Sequence, residues 1–343
     1  MSLPVKTDFA PMEANTAREI PRGPEWEYEP KWDGFRALAF KDGERIDLMS
    51  KAGQPLARYF PEVVAALAAL SANKFVLDGE VIVTQARTLD FDALLQRIHP
   101  AESRIRKLAK ETPASLVIFD ILVNDRGKDL TGEVLDQRRE ELERFAKQYL
   151  GGQERIRLSP RTRDFETAKS WFHRMAGPLD GVIAKRVDLP YAQGERGAML
   201  KIKNLRTADC VVGGFRYGTK NKLVGSLLLG LYDHEGRLNH VGFCSGLAAA
   251  EKPALTKKLK SLIEPPGFTG SAPGGPSRWS TERSAEWEPL APKLVVEVQY
   301  DHFSGHRFRH GTKLIRWRPD KDPKTCTIEQ VRRESESPLT LLD

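Results

Sequence analysis

Short apolar runs bounded by turn residues recur along the first two hundred residues and alternate with longer helix-like runs. The runs "FRALAF" and "RIDLMS" predict two strands joined by a tight turn, because the Asp-Gly pair at Asp42 and Gly43 supplies the backbone angles of a hairpin. Further strands are predicted at "KFVLDGEVIV", "ASLVIFDIL", "GVIAKRV" and "AMLKIKN". Helices are predicted at "PEVVAALAAL", "VLDQRREELERFAKQYL" and "RDFETAKSWFHRM". This mixture indicates an α+β domain with antiparallel sheet.

The pattern changes after about Arg206, where short strands are separated by Gly and Asn turns. These strands are "DCVVGGFRY", "GSLLLGLYD", "LNHVGFCSG", "KLVVEVQYD" and "LIRWRP". One helix candidate, "EKPALTKKLKSLIE", interrupts them. Five strands with one helix indicate a small barrel of the OB-fold type. We therefore predict an α+β domain at residues 1–205 and an all-β OB-fold domain at residues 206–343.

Length and composition agree with a two-domain globular protein. The 343 residues exceed what one hydrophobic core usually holds, and 40% apolar with 29% charged residues is ordinary for a globular chain. Cys210, Cys244 and Cys326 lie far apart and form no C-x-x-C pair, which favours a reducing compartment. No apolar run approaches the roughly 20 residues of a membrane span, and the N-terminus lacks a signal peptide's apolar core. We expect a cytoplasmic protein with no membrane partner.

Basic charge is concentrated in two segments. The formal net charge is +7. Residues 201–222 carry six basic residues against one acid, and residues 306–324 carry seven against two, both interleaved with aromatics. Cations for phosphate contacts beside aromatic rings for stacking are typical of a nucleic-acid surface. A solvated basic face is the alternative for either segment alone.

A lysine followed by Trp-Asp-Gly stands in "EPKWDGFRALAF", and further short motifs follow it in order along the chain. The first supplies Lys31, Asp33, Gly34 and Arg36. The later motifs are "LMSKAG", "VLDGEVIV", "VIFDIL", "LDGVIAKR", "MLKIKN" and "RWRPDK". The tetrapeptide alone would indicate only an exposed lysine at a strand end. The ordered series resembles the covalent nucleotidyltransferases and, within them, the ATP-dependent DNA ligases.

The resemblance covers the chain from about Pro21 to Lys324. It is closest to the small bacterial ligases, either stand-alone accessory enzymes or the ligase modules of bacterial end-joining ligases. It implies an ATP-grasp-like nucleotidyltransferase (adenylation) domain with antiparallel sheets, followed by an OB-fold. It also implies a three-step reaction in DNA repair. Lys31 takes AMP from ATP and passes it to a DNA 5′-phosphate, and a 3′-hydroxyl then displaces AMP and seals the nick.

A nucleophilic lysine must lose its proton, although lysine ordinarily titrates near about 10.4. Lys201 and Lys203 lie two apart on a predicted strand, so their side chains share a face. Together with a divalent metal, Mg²⁺ or Mn²⁺, they are expected to lower the pKa of Lys31 and to hold the α-phosphate. A basic strand edge that discourages aggregation is the structural alternative.

Two acids are candidates for the metal, because hard cations take carboxylate oxygens together with phosphate and water. By resemblance, Glu80 contacts the nucleotide ribose or the metal, and Asp180 occupies a metal-binding position. Many relatives carry glutamate in place of Asp180, so the shorter side chain leaves open whether it reaches the metal directly or through water. A turn acid before glycine is the alternative for both.

The resemblance assigns further nucleotide contacts. Phe119 would stack on adenine, Glu29 or its backbone would contact the base edge, and Arg36 would hold the ribose. Lys51 stands where many relatives have arginine and would meet a phosphate of the nick with a point charge in place of a bidentate fork. The alternatives are a core phenylalanine and exposed strand residues.

The last motif, Arg318, Asp320 and Lys321, is expected to orient pyrophosphate while the barrel is closed over the nucleotide. A mixed-charge surface turn is the alternative. Because the barrel must then serve the DNA, we expect it to rotate about residues 204–208.

The expected partner is nicked double-stranded DNA, and repair polymerases or end-binding proteins are candidate partners of a monomeric enzyme in the bacterial cytosol, associated with the nucleoid during repair. An mRNA-capping guanylyltransferase is the main enzymatic rival, and a non-catalytic DNA-binding module is the rival from another class. An NAD-dependent ligase is disfavoured, because it would be longer and carry a four-cysteine zinc site.

Overall fold

The structure, a computed structural model, describes residues 2–175, 179–219, 222–274, 286–332 and 337–342. The chain divides into two compact units, Met1–Asn204 with Ser335–Asp343, and Leu205–Glu334. The described residues 337–342 therefore belong with the first unit, whereas the sequence analysis placed them in the second domain. The reason is apolar packing, because Leu341 and Leu342 pack against a cluster of the first unit.

The first unit consists of two main sheets with helices on their faces. Its strands are β1 (Asn15–Ala17), β2 (Trp26–Lys31), β3 (Phe35–Asp42), β4 (Arg45–Ser50), β5 (Lys74–Gln85), β6 (Thr88–Leu89), β7 (Ala114–Val123), β8 (Ile156–Leu158), β9 (Gly181–Arg186) and β10 (Met199–Lys203). One sheet has the order β1-β10-β9-β2 and the other β4-β3-β5-β7-β8, with β6 paired to β5. The predicted antiparallel pairing is confirmed except for β1 with β10 and β7 with β8, which are parallel.

In the described part of the first unit, five α-helices accompany these sheets: α1 (Pro61–Ala69), α2 (Phe91–Gln96), α3 (Glu102–Glu111), α4 (Leu135–Tyr149) and α5 (Phe165–Arg174). The sequence predicted α1, α4 and α5. It missed α2, which has only six residues, and α3, in which Ile105 is the sole buried residue. Such short or almost wholly exposed helices show little apolar periodicity. Asp90 and Asp164 cap α2 and α5 by accepting backbone N–H bonds at 2.8 Å.

The main core of the first unit lies between the β3-β5-β7 sheet and its helices. It includes Phe60, Phe75, Leu77, Leu116 and Phe145, all without measurable exposure. The second face of that sheet meets the N-terminal residues through a smaller cluster around Leu3, Val5 and Met12. These two clusters hold the two sheets on either side of a groove.

Within its described residues, the second unit is a barrel of five main strands with one α-helix and three two-residue strands. Its elements are β11 (Arg206–Tyr217), β12 (Val224–Tyr232), β13 (Leu238–Cys244), α6 (Lys252–Lys260), β14 (Glu288–Pro289), β15 (Val295–Tyr300), β16 (Phe303–Ser304), β17 (Arg307–Phe308) and β18 (Lys313–Trp317). The sheet order is β13-β12-β11-β15-β18, and a parallel bridge between Cys244 and Thr312 joins its two ends. This closed topology, with the helix after the third main strand, confirms the predicted OB-fold.

The helices described in both units are too short or too polar to span a lipid bilayer. Short 3₁₀ turns complete the two units: Ala57–Tyr59, Ala249–Glu251, Pro323–Thr325, Ile328–Val331 and Pro338–Leu341.

Candidate active site

A cleft of about 210 Å³ lies between the two sheets of the first unit. Its charged lining side chains are Glu13, Glu29, Lys31, Arg36, Lys51, Glu80, Lys185 and Lys201. Five cations therefore face three carboxylates, a balance that favours a polyanionic ligand. Phe119 also lines the cleft and offers it an aromatic ring.

Lys31 ends β2 at the floor of this cleft and is paired across the strands with Gly181. The Asp180 N–H donates to the Lys31 carbonyl at 3.0 Å, and the Lys31 ammonium forms an ion pair with the Asp180 carboxylate. Gly181 has φ 139°, and a Cβ at this position would lie 1.9 Å from the Ile202 carbonyl oxygen. Only glycine therefore permits β2, β9 and β10 to pack this closely.

The carboxylates around Lys31 decide its protonation. Burial by itself lowers the pKa of Lys31, but Asp180 foremost, then Glu80 and Asp33, outweigh burial, so the pKa lies above its ordinary value. The expectation that neighbouring lysines lower this pKa is therefore not met by the protein groups alone. The reason is proximity, because the carboxylate of Asp180 touches the ammonium directly.

Lys201, in contrast to Lys31, has a lowered pKa. Burial lowers the pKa of Lys201 first, and the charges of Lys31, Lys203 and other cations lower it further. Lys201 lies on β10 opposite Ile183, and Lys203 lies opposite Gly181, so both are close to the ion pair of Lys31. The structure thus brings the two lysines to the same strand face that the sequence predicted.

Gly34 lets the chain cross from one sheet to the other immediately after Lys31. A Cβ on Gly34 would lie 2.2 Å from the Val81 carbonyl oxygen on β5. Two residues later, Arg36 donates to both carboxylate oxygens of Asp78, at 2.8 and 2.6 Å. The Tyr191 hydroxyl donates to the same carboxylate at 2.6 Å. Arg36 is therefore held in a fixed orientation at the cleft wall.

Glu80 is a cleft carboxylate whose pKa is strongly raised. Burial raises the pKa of Glu80 to about 7, although Lys31 and Arg36 oppose that shift. Its negative charge is thus incompletely compensated by the protein. The described residues contain no group of three or more His, Cys, Asp or Glu side chains arranged to hold a metal ion. Glu80 and Asp180, both facing Lys31, nevertheless fit the one or two carboxylates that Mg²⁺ usually takes beside phosphate and water.

Phe119 is half-buried on β7, with its ring flanked by two cations. The Arg36 guanidinium carbon lies 5.0 Å from the ring centroid and the Lys185 ammonium lies 4.7 Å from it. A flat ring fixed by cation–π contacts on a cleft wall is suited to stacking on a planar ligand.

Glu29 is buried and paired with cations, and the expectation that Glu29 or its backbone contacts the base edge stays a prediction. The Lys185 ammonium donates to Glu29 Oε1 at 2.8 Å and to the Phe119 carbonyl at 3.3 Å. Arg139 lies 3.5 Å from the same carboxylate. Burial raises the pKa of Glu29 while these two cations oppose the shift. The Glu29 carboxylate therefore serves first to hold Lys185 beside the ring.

Lys51 lies at the cleft mouth with about half its side chain exposed. Its ammonium lies 3.0 Å from the Glu13 carboxylate, which Arg196 also contacts at 2.8 Å. Lys51 thus remains accessible to a phosphate arriving from solvent.

In the second unit, Arg318 and Lys321 converge on one carboxylate. The Arg318 guanidinium donates to Asp209 at 2.9 Å and to Asp320 at 2.9 Å, and Lys321 lies 3.5 Å from Asp209. The Arg318 hydrogen bond lowers the pKa of Asp320 to about 2. The barrel therefore carries its own fixed cationic group at the end of β18.

Comparison with known proteins agrees with this arrangement. A family model described as "ATP dependent DNA ligase domain" matches residues 11–203, and another, "ATP dependent DNA ligase C terminal region", matches residues 220–321. DNA ligase C of Mycobacterium tuberculosis is 42% identical, covering 99% of this chain and 97% of that protein. The chain belongs to the ATP-dependent DNA ligase family. DNA ligase C2 of Mycolicibacterium smegmatis is also 42% identical, covering 96% of each chain.

The resemblance inferred from the ordered motifs is therefore confirmed: the protein is an ATP-dependent DNA ligase, and DNA is its substrate. A solved Lig E DNA ligase covers 90% of this chain and 99% of its own with a TM-score of 0.56, at 15% identity. That likeness shows a shared fold.

Three further residues line the ligase cleft or hold its wall and were not predicted from the sequence. Lys185 lies in the quoted "LDGVIAKR", and Asp78 lies two residues before Glu80, but neither was singled out. A charged residue inside an apolar strand is the signal that could have identified them, because burial of a charge requires a partner. Glu13 precedes the first motif and carried no such signal.

Proposed function

We propose that Lys31 carries AMP during ligation and that the enzyme seals nicks with 5′-phosphate and 3′-hydroxyl ends in DNA repair in the bacterial cytosol. The observation that carries this proposal is the position of Lys31, half-buried beside Asp180 at the floor of a cationic cleft with an aromatic wall. An amine that attacks in line with a leaving pyrophosphate needs such fixed placement.

In the first step the lone pair of Lys31 Nζ forms a bond to the α-phosphorus of ATP, and the bond to the pyrophosphate oxygen breaks. In the second step a DNA 5′-phosphate oxygen attacks the same phosphorus and Lys31 leaves with its electron pair. In the third step the 3′-hydroxyl oxygen attacks the 5′-phosphorus, the hydroxyl proton passes to solvent, the bond from that phosphorus to the AMP phosphate oxygen breaks, and AMP leaves. Asp180, in contact with the ammonium, orients Lys31, whose proton passes to solvent before the attack.

The other cleft residues bind and orient ATP. Phe119 stacks on adenine, and Glu29 holds Lys185 beside that ring. Arg36, fixed by Asp78, contacts the ribose. Lys201 and Lys203 neutralise the α-phosphate, and Lys51 receives a nick phosphate. The placement of each of these residues supports its role.

A divalent cation, Mg²⁺ or Mn²⁺, would be held by Glu80 and Asp180 together with ATP phosphate oxygens and water. When bound, it supplies positive charge that neutralises the two carboxylates and the developing charge on the phosphate. The raised pKa of Glu80, to about 7, agrees with a carboxylate whose charge the protein leaves incompletely balanced.

For the barrel, we propose that Arg318 and Lys321 orient the pyrophosphate in the first step, with Asp320 fixing the guanidinium. The barrel then turns about residues 204–208, so that the cleft can receive nicked DNA. The enzyme acts as a monomer.

Substitution of Lys31 by alanine tests the assignment of the nucleophile. We expect Lys31→Ala to incorporate no AMP from labelled ATP and to seal no ordinary nick, while it still seals a nick that already carries 5′-AMP. Lys128→Ala is the matched control, because Lys128 is exposed and its ion pair with Glu133 lies outside the cleft. AMP labelling of the Lys31→Ala protein would move the nucleophile to another residue, and exclusive labelling by GTP would favour the capping reaction.

A further inference from the structure

The segment 337–342 lies after the barrel in sequence but packs on the first unit. Leu341 and Leu342 pack against a cluster of five buried residues, Trp32, Ile82, Val117, Met175 and Leu179. The Ser337 hydroxyl donates to the Arg87 carbonyl, and it accepts the Leu339 N–H at 3.3 Å, capping the 3₁₀ turn Pro338–Leu341. The segment thus has an apolar anchor and a polar anchor.

Its polar anchor is an unusual turn. Ala86 and Arg87 join β5 to β6 with φ 46° and 63°, a backbone conformation that non-glycine residues rarely adopt. A strained turn persists where surrounding contacts hold it. The hydrogen bond from Ser337 to the Arg87 carbonyl is one such contact, so the turn and the segment stabilise each other.

Two residues of the cluster that forms the apolar anchor are sequence neighbours of the reacting groups. Trp32 directly follows Lys31, and Leu179 directly precedes Asp180. Trp32 is 4% exposed and Leu179 is 2% exposed. A backbone hydrogen bond of 3.0 Å from the Asp180 N–H to the Lys31 carbonyl joins the two segments at this point. A shift of either Trp32 or Leu179 would therefore displace both members of the ion pair.

We propose that residues 337–342 are a positioning element for the reacting lysine, resting on the assignment of Lys31 as nucleophile. By covering the Trp32 cluster, Leu341 and Leu342 keep the backbone around Lys31 and Asp180 in the register that in-line attack requires. The side chains of the segment touch neither ATP nor DNA in this role. Misplacement of a reacting group by about 1 Å can lower a rate by about a hundredfold.

The test separates positioning from simple stability by comparing two steps of the reaction. The double variant Leu341→Ser with Leu342→Ser is compared with Leu339→Ser, a control in the same turn whose side chain lies outside the cluster. We measure the rate constant of Lys31 adenylylation at saturating ATP, the KM for ATP, and the sealing of a nick that already carries 5′-AMP. We expect the double variant to lose about tenfold or more in the adenylylation rate constant, with the KM and the pre-adenylylated sealing within about twofold.

Leu339→Ser should stay within about twofold of the unaltered enzyme in both steps. Should the double variant fail to fold, Ser337→Ala removes only the polar anchor, and we expect a smaller fall of the same rate constant with sealing preserved. An unchanged adenylylation rate constant, or an equal fall in both steps, would overturn the inference. Labelling of Lys31→Ala in the same assay would overturn the proposed function and this inference with it, whereas an unlabelled Lys31→Ala beside unaffected segment variants overturns the inference alone.

Discussion

Lys31 is held as an ammonium by the carboxylates that surround it, because Asp180, Glu80 and Asp33 together outweigh the effect of burial on its pKa. A lysine in that state is not a nucleophile. The residue is thus positioned before it is activated, and the charges that must change on activation belong to the carboxylates. The two acids selected from the sequence therefore control the protonation of the lysine as well as being candidates to hold a cation.

Glu80 makes the stability of the folded protein depend on pH. In the unfolded chain its pKa is near 4.5, and in the folded protein burial raises the pKa to about 7. Between these values the folded state keeps a proton that the unfolded state has lost, so raising the pH through this window lowers the free energy of unfolding, by up to about 3 kcal/mol. We expect Glu80→Gln to remove this loss.

The measurement is urea unfolding at about pH 5 and about pH 8 without ATP or metal. Relative to the unaltered enzyme, Glu80→Gln should gain stability at the higher pH and little at the lower. Glu44→Gln, in the exposed turn after β3, is the control and should follow the unaltered enzyme. Parallel pH profiles for the enzyme and Glu80→Gln would contradict a raised Glu80 pKa.

Residue types in ordered motifs were enough to select several residues that line the cleft, including Lys31, Arg36, Glu80 and Lys201. The pairing of Glu29 with Lys185 was not predictable, because the two residues are 156 positions apart and meet only through the pairing of β2 with β9. An ion pair with such separation leaves no local pattern in the sequence.

At the scale of elements, the close approach of β2, β9 and β10 depends on a single glycine. Gly181 has φ 139°, and its missing side chain leaves room for the Ile202 carbonyl. We expect Gly181→Ala to lower the free energy of unfolding by about 2 kcal/mol or more, since it adds both a strained φ and a backbone clash. Lys31 adenylylation should fall as well, because Asp180 and Lys31 share this junction.

Gly132→Ala is the control for that substitution, since Gly132 has open space around its Cβ position. It should change the free energy of unfolding by no more than about 0.5 kcal/mol. Denaturant unfolding and AMP labelling of both variants make the comparison. Equal free energies of unfolding for Gly181→Ala and Gly132→Ala would contradict the prediction that the packing of β2, β9 and β10 requires glycine at position 181.

Elements with strong apolar patterning were predicted well, among them β5, β7, α4 and the five main barrel strands. The strands β16 and β17 are two residues each, and the helix α3 buries one residue. Elements of this kind form because the surrounding fold holds them, so their own residues carry too little signal.

At the scale of the whole molecule, the proposed reaction needs a cationic group from the barrel in the first step only. We expect Arg318→Ala to lower Lys31 adenylylation by about tenfold or more while sealing of a pre-adenylylated nick falls much less. Arg316→Ala is the matched control, since Arg316 is exposed and pairs with Glu297 at 2.6 Å. Equal losses in both steps, or equal losses in both variants, would contradict a role in pyrophosphate orientation.

Rotation of the barrel predicts more than one distance between the two units. Spin labels on Lys107→Cys in α3 and Lys257→Cys in α6 should give different distance distributions with ATP and with nicked DNA. The native cysteines are buried and should remain unlabelled. A control pair, Lys107→Cys with Lys147→Cys in α4, lies within the first unit and should give one distribution throughout. One unchanged distribution for the inter-unit pair would rule out the hinge at residues 204–208.

The sequence by itself determined the family, the two-domain plan and the identity of the candidate nucleophile, because motif order and strand periodicity are properties of neighbouring residues. Only the tertiary structure decided which charges meet. It placed Asp180 on Lys31, so that the pKa of the lysine rises, and it returned residues 337–342 to the cluster behind Trp32. Protonation and burial depend on distances between residues far apart in the chain, and those distances are set by the fold.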